Sequence, residues 1–127
     1  MIVRTKNPRK QGDAGMGVAI GWFSANGYTV AIPLTDSQRY DLIVDDGSLK
    51  KVSVRTTTMK SESGFFQVGL RTIGSNMYRT KIVKFNPSEI DLLFVVCEDE
   101  TKYLIPATDI KVTNNITLNA NWDKYKV

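Results

Sequence analysis

One stretch of this sequence, Gly12 to Asn26, sets apolar residues at helical spacing, and nearly everything after it is cut into short runs of strand formers. Met16, Val18, Ala19, Ile20, Trp22 and Phe23 make the apolar side of about three turns, with Asp13 placed to cap the helix and Gly27 to stop it. The runs that follow read as strands. Tyr28 to Leu34 is the first, with Pro33 near its end, and Tyr40 to Val44 the second, closed by the turn Asp45-Asp46-Gly47. Leu49 to Thr58 alternates, with Val52 and Val54 on one side and Lys51, Ser53 and Arg55 on the other, which predicts a half-buried strand hairpinned to the previous one.

Gly64 to Thr72 reads as a further strand and Ile73 to Asn86 as a basic loop. Ile90 to Cys97 and Lys102 to Pro106, separated by Glu98-Asp99-Glu100, form another expected hairpin, and the last fifteen or so residues show no clear period. The expected architecture is α/β, one helix followed by a mixed sheet. At 127 residues the chain suits a single domain spanning 1–127, with a basic N-terminal arm over 1–11 and a C-terminal extension over 112–127.

Several chemistries drop out early. The sequence has no histidine, which removes Ser-His and Cys-His nucleophile pairs, imidazole bases and ordinary zinc sites. Its one cysteine, Cys97, lies in the apolar run Leu92 to Cys97 and reads as a core thiol. Charges come too early for a secretory signal, and no run approaches the roughly 18 apolar residues of a membrane span. The expected compartment is the cytoplasm, with no membrane partner.

Net charge is +4, and its distribution matters more than its size. Arg4, Lys6, Arg9 and Lys10 open the chain, and a second basic region includes Arg71, Arg79, Lys81 and Lys84, while acids gather from Asp36 to Asp46 and from Glu89 to Glu100. A solvated mixed surface would account for this. Segregation of this kind also suits a polyanion, because neutralised phosphates supply much of nucleic-acid affinity. Those eight cations are the candidate nucleic-acid contacts: the first four as an arm over phosphates, the others flanking a groove. Tyr78, lying among the last group, is placed to approach a sugar or base, although a lone loop tyrosine is more often packed against its own surface.

Three blocks, in order and at suitable spacing, resemble a known superfamily. They are Gly12-Asp13-Ala14-Gly15 with its helix; Gly27-Tyr28, Ile32-Pro33 and Arg39-Tyr40-Asp41-Leu42-Ile43-Val44-Asp45 leading to Lys51-Val52-Ser53-Val54-Arg55-Thr56; and Ser88-Glu89-Ile90-Asp91-Leu92-Leu93-Phe94-Val95-Val96 through Tyr103-Leu104-Ile105-Pro106. Over roughly residues 10 to 110 the chain resembles the PD-(D/E)XK nucleases, most nearly the group I intron-associated homing endonucleases. The resemblance implies a restriction-endonuclease-like core, double-stranded DNA as partner, a homo-oligomer, and phosphodiester hydrolysis assisted by carboxylate-held Mg2+.

It also implies four site positions: a glutamate on the helix, an aspartate on the second strand, and a Glu or Gln followed after one residue by Lys on the third. Here those positions hold Met16, Asp41, Ser53 and Arg55. Asp41 is retained and is the candidate metal ligand. Met16 offers no oxygen to a hard cation, Ser53 is a short neutral donor, and Arg55 keeps the charge but not the ability to release a proton. A structural ion pair between Asp41 and Arg55 is an equal alternative. Asp45 and Asp46 read as turn residues, and Glu89 and Asp91 as solvent-facing or paired with basic neighbours. The expected function is DNA binding by a nuclease fold with a degenerate site. The alternatives are an active Mg2+-dependent endonuclease, homing or junction-directed, and a structural or protein-interaction module that keeps only the fold.

Overall fold

In a computed structural model, which describes residues 4–75 and 80–127, the chain opens with helix α1, Pro8–Ala25. The helix starts four residues before the expected Gly12. Its cap is Asn7, whose side chain accepts from the backbone N–H groups of Arg9 and Lys10, with Pro8 preset for the first helical position. Asp13 therefore does not cap; it lies exposed within the helix. Arg9 and Lys10, expected in the arm, belong to the first turn of α1.

Strands β1, Thr29–Ala31, β2, Leu42–Asp45, and β3, Leu49–Thr57, follow as antiparallel neighbours. The expected turn joins the last two: Asp45 accepts from the Gly47 N–H at 2.9 Å, and Gly47 adopts a φ of 116° that glycine tolerates. Next come β4, Gln67–Gly69, β5, Thr72–Ser75, and β6, Thr80–Val83. β5 and β6 pair with each other across residues expected to form a loop; each is a run of four, too short to announce a period. The expected hairpin is present as β7, Leu92–Cys97, and β8, Lys102–Pro106. The aperiodic end supplies β9, Asn115–Thr117, paired with β4, and a 3-10 helix, Ala120–Tyr125.

The main sheet has the order β1-β2-β3-β7-β8, with β3 and β7 parallel at its centre and the other pairs antiparallel. Because side chains alternate along strands, the sheet sorts residues onto two faces. Leu42, Val44, Val52, Phe94 and Val96 are wholly buried on the face covered by Ala19 and Phe23 of α1, and Trp22 and Phe23 pack their rings against Phe94. α1 sits tightly on β3 at Gly15, where an added Cβ would overlap the Thr56 Oγ1. The opposite face carries Leu93, Val95, Cys97, Tyr103 and Ile105, covered by Val68, Leu70, Ile116 and Leu118, with Trp122 and Tyr125 packed against them. Among the described residues no helix is long and apolar enough to cross a membrane.

Candidate functional site

The pleat of β3 decides which side chains meet. Val52, Val54 and Thr56 turn toward α1, so Ser53, Arg55 and Thr57 turn to the other face. Leu42 pairs with Val52, and the Asp41 N–H donates to the Val52 carbonyl at 2.8 Å, which carries the pairing one step further and sets Asp41 beside Ser53. The Val54 N–H then donates to Asp41 Oδ2 at 2.7 Å. That charge-assisted bond fixes the carboxylate against β3.

The loop before β2 completes a cleft of about 240 Å³ lined by Asp36, Ser37, Gln38, Arg39, Asp41, Ser53, Val54 and Arg55. The loop is braced by Gln38, whose amide donates to the Thr35 carbonyl at 2.6 Å. Arg39, Ser53 and Arg55 also line a smaller adjoining recess of about 20 Å³ that reaches Lys84, Asn86 and Glu89. Arg39 pairs with Glu89 at 3.7 Å across an exposed surface, the kind of basic neighbour expected for that glutamate. Asp91 is exposed and accepts from the Lys51 N–H at 2.8 Å.

Burial pushes the Arg55 guanidinium below its usual value, and the Asp41 carboxylate pulls it back up. An arginine starts so high that it remains charged at any physiological pH. Ser53 is 3 % exposed. Cys97 is buried, and burial pushes its thiol up to about 12, far from a reactive thiolate at neutral pH.

Of the four site positions, the fold thus brings Asp41, Ser53 and Arg55 into one cleft. Met16 packs against the core on the α1 side of the sheet. Asp36, Ser37 and Arg39 join the cleft although no sequence pattern marks them as site residues; their one signal is proximity to Tyr40-Asp41 in a short polar loop. Among the described residues, no group of three or more His, Cys, Asp or Glu side chains is arranged to hold a metal ion.

The nucleic-acid candidates divide. Arg4 and Lys6 are exposed ahead of α1, and Arg9 and Lys10 are exposed on its first turn, a helix that lies over the other face of the sheet from the cleft. Lys84 is exposed beside the recess, and Arg71 is exposed with its Nε donating to Asn114 Oδ1 at 2.8 Å. Tyr78 and Arg79 lie outside the described residues, and of Lys81 only the backbone, in β6, is described.

The family model for PD-(D/E)XK endonucleases matches residues 6–125 of the chain. The structure is similar to that of a bacterial homing endonuclease, I-Ssp6803I, with a TM-score of 0.80 and 24% sequence identity, over 93% of this chain and 87% of that one. No curated protein matches the sequence. Both the resemblance read from the three sequence blocks and the expected restriction-endonuclease-like α/β fold are borne out.

Proposed function

This chain belongs to the PD-(D/E)XK endonuclease family, and on that footing we propose that it binds double-stranded DNA through a nuclease fold whose catalytic centre does not cut efficiently. The observation that carries the reading is the make-up of the cleft. Its two carboxylates, Asp36 and Asp41, share the space with two guanidinium groups, Arg39 and Arg55, and one oxygen of Asp41 is already committed to the Val54 N–H. Mg2+ wants oxygen donors and keeps several waters, whereas guanidinium groups repel it and Met16 stands on the far side of the sheet. The residues present do not fit Mg2+ as a resident ion.

Hydrolysis in such folds leans on the metal for both the nucleophile and charge stabilisation. Loss of one such interaction costs roughly 10²-fold in rate or more, and three of four positions are changed here. Binding rests on other groups, the exposed cations Arg4, Lys6, Arg9, Lys10, Arg71 and Lys84, and outlasts the loss of cleavage. Arg79 and Lys81 are assigned the same role from the sequence. The chain acts in the cytoplasm as a homo-oligomer, since a subunit this small reads a long DNA site only as one of several copies.

The test is cleavage of supercoiled plasmid in Mg2+ and in Mn2+ by the wild type, by Asp41→Ala, and by a triple variant carrying Met16→Glu, Ser53→Gln and Arg55→Lys. We expect nicking from the triple variant and none from the other two. Wild-type cleavage that vanishes in Asp41→Ala would replace this reading with that of an active endonuclease. Failure to bind duplex at low salt would favour a module that keeps the fold alone.

A further inference from the structure

From Ala14 to Thr35 no residue is charged, in a sequence of which 24% is. That stretch makes most of α1, all of β1 and the turn beyond it, and much of it faces solvent. Just past β1, Ile32 is 57 % exposed and Leu34 fully exposed. On the outer side of α1, Gly17 and Gly21 stand about one turn apart, where an added Cβ would meet nothing within 4 Å among the described residues. Unlike Gly15, they weaken the helix without admitting a close approach inside the subunit. The end of the helix and the strand form one surface: the Tyr28 N–H donates to the Phe23 carbonyl at 3.0 Å, and the rings of Trp22 and Tyr28 lie 6.4 Å apart. With no cation on it, this surface has nothing to hold a phosphate. Depletion of charge is instead what the centre of a protein–protein interface shows.

The two edges of the main sheet differ in the same sense. At β8 the C-terminal residues cover the edge: the Val127 N–H donates to the Lys102 carbonyl at 3.0 Å, and Lys126 bridges to Tyr103. At the other edge β1 pairs only with β2 among the described residues, and its sequence Thr29-Val30-Ala31 lacks the charges that commonly blunt an exposed edge. An open edge offers unpaired backbone donors and acceptors that another strand satisfies, and about a two-fold axis an antiparallel strand is its own complement. We infer that a second copy of this chain docks here, β1 running antiparallel to its counterpart so that the sheet continues from one subunit into the next, with Ile32 and Leu34 packed in the contact. Pro33 has no N–H to donate, so the ladder ends there and the short strand relies on its apolar flank. The inference rests on the homo-oligomer of the proposed function and names the surface that makes it.

The experiment is sedimentation across a dilution series for the wild type, Thr29→Lys, Leu34→Glu and, as control, Val112→Glu, with thermal melts confirming that each is folded. All three positions are exposed, and Val112 lies beyond the β8 side of the sheet, away from β1. The two-fold axis repeats each substitution in both subunits, and like charges brought together oppose assembly. We expect the wild type and Val112→Glu to associate alike, and Thr29→Lys and Leu34→Glu to associate about 10-fold more weakly or worse. Association unchanged in both edge variants overturns this interface and leaves the oligomer standing on another surface. Equal weakening by Val112→Glu overturns it too, since any added charge would then act. A wild type that stays monomeric throughout overturns the interface and the homo-oligomer together. Anisotropy of a labelled duplex with the same wild-type protein reads the DNA-binding proposal separately, so that its failure is told apart from that of the interface.

Discussion

At the scale of single residues, side chains carried by regular strands are legible in the sequence and those carried by the loop are not. Alternation along Leu49 to Thr58 predicts that Ser53 and Arg55 share a side, and antiparallel pairing brings Asp41 to them. Asp36 and Arg39 obey no period, and only the folded course of residues 35–39 carries them into the cleft. Cys97 is legible from its apolar run, and its environment gives a prediction. Burial raises the folded thiol to about 12 with help from the Asp99 carboxylate, against the pull of Lys126. As pH climbs past the thiol's unfolded value, about 8.5, the unfolded chain loses a proton that the folded chain keeps. Stability contributed by this group is therefore whole below that value and falls progressively toward pH 12. Iodoacetamide at pH 8 should leave Cys97 unlabelled in the folded protein and label it in urea; rapid labelling of the native protein would contradict its burial.

At the scale of elements, the helix shows what pattern reading misses. Arg9, Lys10 and Gln11 carry no apolar period, so the first turn of α1 is invisible to it, although Asn7-Pro8 is a sound start signal by capping chemistry. The same helix shows why a glycine can sit in the middle of a helical run. Glycine costs about 1 kcal/mol against alanine in such a position, yet at Gly15 the missing Cβ is what lets α1 meet Thr56 on β3. Gly15→Ala should lower stability by about 1–3 kcal/mol despite the better helix former, because the new methyl overlaps the Thr56 hydroxyl. The double variant Gly15→Ala with Thr56→Ala removes the obstructing atom and should be more stable than Gly15→Ala alone. Equal urea midpoints for wild type and Gly15→Ala would mean that α1 does not seat on β3 at this point.

At the scale of the whole molecule, the sheet separates two basic regions that are merely successive in the linear sequence. Arg9 and Lys10 ride on α1 over one face, whereas Lys84 borders the recess reached from the other. The closing segment illustrates the same limit of linear reading: Ile116 and Leu118 show no period, yet they are 1 % and 4 % exposed because they cap a face built from residues far away in sequence. If DNA sits across the cleft, a short duplex meets Lys84 and does not reach the first turn of α1. Neutralising one cation that pairs with a phosphate lowers the slope of log K against log salt by about 0.9. Lys84→Gln should therefore weaken binding of a short duplex and flatten that slope by about 0.9, while Arg9→Gln with Lys10→Gln leaves the slope near its wild-type value. The reverse ranking, a slope carried by Arg9 and Lys10 and untouched by Lys84, would move the DNA to the helical face and detach binding from the cleft.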